Sequence, residues 1–160
     1  MSDFIATVLP DPAQPAPALP PIENDGWFPD IDLAMWREQM RIRDSVTPAR
    51  MREAMIAAIL TVGRDLAGWA AERRAEGAAS LSKVPAPMID GTSSFVLLYR
   101  RAVFTAAKAE VVERYRDIDL TGSGQRKADD LDPSVTELRR DSLHAIRDIR
   151  GVTRTTIDLI

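Results

Sequence analysis

From Met51 to Trp69 an apolar residue returns every three or four positions: Met51, Met55, Ile59, Val62, Leu66 and Trp69. That spacing matches the turn of an α-helix and puts all six on one side of it. Thr47-Pro48 stands ahead of the run as a capping residue followed by proline at the first helical position, where its missing N–H is not needed. Gly77 stands behind it as a stop, so the pattern predicts one amphipathic helix from Pro48 to about Arg74–Glu76, roughly 40 Å long at ~1.5 Å per residue. Gly63 and Gly68 interrupt it, each at about 1 kcal/mol relative to alanine, or mark close helix contact. A chain built around such an element must bury its stripe against other helices.

The neighbouring segments supply them. Asp30 is read as the cap of a short helix from Ile31 to about Asp44, with Leu33, Trp36 and Met40 on one face and Ser45-Val46 as the break. Residues 77–91, with Pro85, Pro87 and Gly91, read as a connector. A second long helix is predicted from about Thr92 to Asp117. Its stripe Phe95, Leu98, Ala102, Ala106, Ala109 and Val112 is joined by a second one of Leu97, Phe104 and Val111, the mark of a central helix packed on more than one side. Residues 118–132 form a polar break, and Asp132-Pro133 opens a last helix. That helix has Glu137 in its first turn, an inner face of Val135, Leu138, Ser142, Ala145 and Ile149, and Gly151 as its stop. The fold class expected is mainly α: a small bundle of about four helices over residues 30–151, with extended arms at both ends.

The arms differ in chemistry. Residues 1–29 hold seven of the eleven prolines, which fixes an extended, semi-rigid strap and excludes a helix or central strand. Residues 1–34 carry six acids and no Lys or Arg, a charge of −6, and the remainder is +3. Trp27 and Phe28 close the strap and are expected to anchor it to the body. Residues 152–160 read V-T-R-T-T-I-D-L-I, six of them β-branched, which suits an extended arm. A strand with nothing in its own fold to pair with either joins a partner's sheet edge or stays a frayed, partly docked end.

The residues offer little to catalysis. There is no cysteine and one histidine, His144, so thiolate chemistry, disulfides and His-based metal sites are excluded, and no cofactor, metal or catalytic residue is expected. Glu110 and Glu113 lack the Glu-x-x-His partners of a di-iron bundle. Asp129, Asp130 and Asp132 lack calcium-loop spacing, and Thr121 to Lys127 lacks the spacing and preceding strand of a phosphate loop. Arg126, Lys127, Arg139, Arg140, Arg147, Arg150 and Arg154 are interleaved with acids, a mixed face rather than a phosphate track. Sequence-reading DNA contact is not expected. No apolar run approaches the ~20 residues of a membrane span, and the start lacks a signal peptide's basic and apolar regions, so a cytosolic-type chain with no membrane contact is expected.

Several stretches together are more specific. Trp27-Phe28-Pro29-Asp30-Ile31-Asp32-Leu33 is followed by Ile89-Asp90-Gly91 and Leu98-Tyr99-Arg100-Arg101-Ala102-Val103. Ala107-Lys108-Ala109-Glu110, Glu113-Arg114-Tyr115-Arg116-Asp117, Leu138-Arg139-Arg140-Asp141 and Ala145-Ile146-Arg147-Asp148-Ile149 come next. Arg154-Thr155-Thr156-Ile157-Asp158-Leu159-Ile160 ends the series. In this order, from about residue 20 onward, they resemble the head-completion (GPL-type) family of contractile-tailed temperate phages.

The resemblance implies a non-enzymatic helical adaptor, residues 30–151, which joins the portal ring after DNA packaging as a ring of its own, twelvefold by that likeness. It would stabilise the filled head and offer a surface to a neck or tail-completion protein. DNA would be met only non-specifically, through the ring lumen. The location implied is the virion's head–tail connector, with host cytoplasm during assembly. Arg154, Thr155, Thr156, Ile157, Leu159 and Ile160 of the terminal arm, with Trp27 and Phe28, are the candidate partner-binding residues. The competing expectation from the residues alone is a cytoplasmic helical interaction subunit or regulator without catalytic activity; a DNA-binding protein is a third.

Overall fold

Thr47 and Pro48 start the long helix as their chemistry requires: the Thr47 hydroxyl accepts from the Arg50 N–H at 3.4 Å, and Pro48 takes the first helical position. The structure is a computed structural model that describes residues 19–115 and 133–152. In it four α-helices run α1 (Leu33–Gln39), α2 (Pro48–Ala75), α3 (Ser94–Tyr115) and α4 (Val135–Ile149). A single 3-10 turn, Leu81–Lys83, and a two-residue hairpin, β1 (Met88–Ile89) and β2 (Thr92–Ser93), fill the connector between α2 and α3. The mainly helical class holds.

α3 is the centre of the molecule. α4 packs along one side of it and α2 along another, while α2 and α4 scarcely touch. Its girth explains this role, because Val96, Tyr99, Ala102, Val103, Phe104, Ala107, Ala109 and Val111 are all buried. The two stripes expected from the sequence contain the right helix but not the right centre: Phe95, Leu98, Ala106 and Val112 are only partly buried. Small residues on α3 bring α4 close enough for the Ser142 hydroxyl to donate to the Ala102 carbonyl at 2.9 Å.

α1 is shorter than the expected Ile31–Asp44, and Asp32 rather than Asp30 caps it, accepting from Ala34 and Met35 N–H at 2.7 and 3.2 Å. Asp30 instead accepts from the Asn24 N–H at 2.8 Å, inside the strap. The helix stops because Arg41 turns left-handed at φ 51°, and the buried Lys108 ammonium donates to the Met40 carbonyl at 2.9 Å, where the negative end of the helix dipole favours a cation. Trp36 is fully buried, and its indole N–H donates to the Phe104 carbonyl at 3.1 Å, tying α1 to α3.

The connector holds a hairpin that the prolines hid. Asp90 and Gly91, both at positive φ (48° and 68°), form the tight turn that matches strand twist, pairing Met88 with Ser93 and Ile89 with Thr92. At α4 the cap also moves by two residues: Ser134, not Asp132, accepts from the Glu137 N–H, and Glu137 accepts from the Ser134 N–H at 2.8 Å, a reciprocal capping box. Those bonds hold the Glu137 carboxyl below the usual range. Ser134→Ala is expected to destabilise the protein by ~1 kcal/mol in chemical denaturation; no change would mean α4 starts elsewhere. Gly151, at φ 67°, ends the helix, and the Val152 N–H donates back to Arg147 at 3.0 Å.

The expectation about span-length apolar runs needs correction. α2 contains an 18-residue window long and apolar enough, by length and composition, to cross a membrane. Counting unbroken apolar residues missed it because Arg64-Asp65 interrupts the run while its surroundings stay apolar. Here Met51, Met55, Val62 and Leu66 are buried on one side of the helix, within the core shared with α3.

Candidate functional site

The strap is attached by hydrogen bonds that its own sequence provides. Ile22 and Ile31 exchange backbone bonds at 2.8 and 3.0 Å, closing a loop over residues 22–31. Within it one Asp25 carboxylate oxygen accepts from the N–H groups of Trp27 (3.0 Å) and Phe28 (2.8 Å), a turn that Gly26 permits by taking φ 80°. The other oxygen meets the Arg74 guanidinium at 2.6 Å. Asn24 fixes the loop's far side, donating from its amide to the Tyr99 hydroxyl at 2.8 Å and to the Pro29 carbonyl at 3.2 Å.

These bonds deliver Trp27 and Phe28 into an aromatic cluster. Both are buried, as an anchor must be. Phe28 stacks on Tyr99 with centroids 4.6 Å apart, and Trp27 meets Phe28 and Trp69 edge-on at 4.8 and 6.1 Å. Trp69 in turn meets Phe95 at 5.2 Å. The Trp27 indole N–H donates to the Ala78 carbonyl at 2.9 Å, and Arg74 lies over its ring, 4.9 Å from the centroid. The strap root is thus clamped to α2, α3 and the turn after α2.

The clamp is sensitive to pH at both extremes. Burial alone would raise the Asp25 carboxyl, but the Phe28 and Trp27 N–H groups and Arg74 outweigh it and hold it below the ordinary value of 3.8. Its stabilising share is present above 3.8 and is lost as pH falls through the lowered value. Burial pushes the Tyr99 phenol up to about 12. Its neutral form therefore favours the fold until pH passes 10, after which stability falls at about 1.4 kcal/mol per unit toward 12. The Trp27 indole N–H resonance is expected to hold its shift between these limits and to move toward the unbonded value beyond them. Movement centred on neutrality would contradict the assignment.

The sequence-level candidates are divided. Trp27 and Phe28 come together with Asn24, Asp25, Trp69, Arg74, Phe95 and Tyr99, so their rings face the protein's own core. Arg154, Thr155, Thr156, Ile157, Leu159 and Ile160 lie outside the described residues, as do Asp129, Asp130, Asp132 and the Thr121–Lys127 stretch. Asn24 and Asp25 were missed as anchors; the Asn-Asp-Gly run ahead of Trp27 is a turn signal that could have found them. Glu113 pairs with Arg139, and Asp141 with Arg101 at 3.3 Å, so the mixed charges of α3 and α4 serve in part to pair those helices. Glu110 pairs with Arg114 at 2.7 Å, an ordinary helix-surface pair. His144 is half-buried on α4. Among the described residues no group of three or more His, Cys, Asp or Glu side chains could hold a metal ion.

The sequence matches the family described as phage head completion protein (GPL) over residues 22–160. A head completion/stabilization protein of Escherichia phage P2 is 40% identical over 147 residues, covering 92% of this chain and 87% of that protein. A probable head completion/stabilization protein of Haemophilus phage HP1 (strain HP1c1) is 29% identical over 139 residues, covering 87% and 91%. No solved structure matches.

Proposed function

The chain belongs to the phage head completion protein (GPL) family, and from that premise we propose that it is an adaptor added to the portal ring once the head is full. It is a structural virion component of head assembly rather than an enzyme. As an adaptor it stabilises the packaged head and presents a surface to a neck or tail-completion protein. The observation that carries this reading is the family match over residues 22–160, a span that takes in the anchored strap, the helices and the β-branched terminal segment. Retention of DNA by such a part needs no reacting group, only many contacts repeated around a ring.

The C-terminal arm, Arg154 to Ile160, is the portal-binding element in this reading. Its β-branched composition suits addition to a sheet edge of another chain, and it follows Val152, whose N–H is clasped back to the Arg147 carbonyl at the end of α4. Trp27 and Phe28 contribute indirectly, by fixing the described part of the strap to the body. Each subunit makes weak contacts that become strong together once the portal aligns them, because linked contacts raise effective concentration. The isolated protein is therefore expected to be a monomer or weak oligomer by light scattering; a stable ring of twelve without portal would overturn this assembly route. Adding purified portal rings should shift it into the portal fraction on a gradient.

A further inference from the structure

Of the 18-residue apolar window in α2, only 33% is buried. Ile56 is 41% exposed and Leu60 64% exposed, and with Gly63 and Ala67 they form a stripe at helical spacing that nothing in the described structure covers. Surface helices seldom present so much apolar area unless something lies on it. The strap leaves the described structure at the foot of this stripe: the Arg52 guanidinium, one turn before Ile56, donates to the Pro20 carbonyl at 3.4 Å.

We propose that the outer face of α2 is an interaction surface whose occupant, in the isolated subunit, is the chain's own segment Phe4–Leu9. Phe-Ile-Ala-Thr-Val-Leu is an uncharged, mostly apolar run that precedes the strap in sequence, whereas residues 116–132 hold eight charged residues and 153–160 hold Arg154 and Asp158. The residues between Leu9 and Pro20, rich in proline, reach roughly 30 Å at ~3.1 Å each. The stripe from Arg52 to Ala67 needs only ~22 Å at ~1.5 Å per residue. A short tether also gives the segment a millimolar-scale local concentration, against which a second copy at micromolar concentration competes poorly. The inference does not depend on the adaptor reading. It makes α2's apolar face a surface that an assembly partner can claim only by displacing the segment.

The absence of native cysteine allows a single spin label at Ala6→Cys in the full chain. Methyl signals of Ile56 and Leu60 should lose intensity in dilute, uniformly labelled protein. They should keep it when isotope-labelled, label-free protein is mixed with spin-labelled protein of natural abundance. Leu60→Asp, a change at an exposed position, should restore the Ile56 signal while leaving the rest of the spectrum in place. Intensity lost only in the mixed sample would assign the face to a second copy's segment and overturn the proposal. So would no loss in either sample, or loss that Leu60→Asp fails to relieve.

Discussion

Removing residues 153–160 is expected to abolish portal attachment and leave the body folded. The cut spares Val152, whose N–H completes the end of α4, so helicity and denaturation midpoint should match the full chain. What is lost is residues 153–160, five of them β-branched, a composition that favours extended backbone and suits addition to another chain's sheet edge. In a ring the loss is multiplied, because every subunit forfeits the contact that raises the local concentration of the others. Heads made with the truncated protein should leak DNA and fail to accept tails, and the protein should sediment apart from portals. A truncated protein that still bound portals and completed heads would take the arm out of the account.

The second large effect lies in the body. Trp36→Ala should destabilise the fold by about 3–5 kcal/mol, against a typical total of about 5–15. Trp36 has no exposed surface, and its indole N–H is bonded to the Phe104 carbonyl at 3.1 Å, so truncation opens a cavity between α1 and α3 and removes the bond that ties them. Trp36→Phe should recover part of the packing and none of the hydrogen bond, and so fall between. Chemical denaturation reads both, and a loss below about 1 kcal/mol for the alanine variant would mean α1 is not the wedge this structure makes it. By contrast, removing exposed pairs such as Glu53–Arg114 should change little, since both side chains remain largely in water.

The helices were legible because their signals are local. Thr47-Pro48 and the Met51–Trp69 period define α2 almost to the residue, and Gly77 and Gly151 stop helices where expected. What failed was the choice among adjacent caps: Asp30 and Asp32 are both good caps, as are Asp132 and Ser134, and short-range side-chain bonds decided between them. Asp30 was taken by Asn24, and Ser134 had Glu137 three residues on. The stripe of α3 was misplaced for a related reason. A helix packed on several sides has no single apolar face, so counting its period could not show that Tyr99 and Val103 lie at the centre while Phe95 lies at the edge. The hairpin at Asp90-Gly91 was masked by the prolines before it.

The site was half legible. Trp27 and Phe28 were identifiable as an anchor because large aromatics at the end of a proline strap are poorly placed in water. Asn24, Asp25, Arg74 and Tyr99, which hold them, are separated by up to 75 residues, and no local pattern links Asn24 to Tyr99. The expectation of a terminal arm over residues 152–160 rests on composition, and a binding partner is by nature absent from one chain's sequence.

The central claim is a location. A cryo-EM map of DNA-filled heads, at a resolution that separates helices, tests it most directly. The account predicts the α1–α4 body repeated as a ring immediately beneath the portal, with residues 153–160 of each subunit running onto portal density. Filled, tail-competent heads carrying this chain elsewhere, in the capsid shell or distributed along the tail, would contradict it.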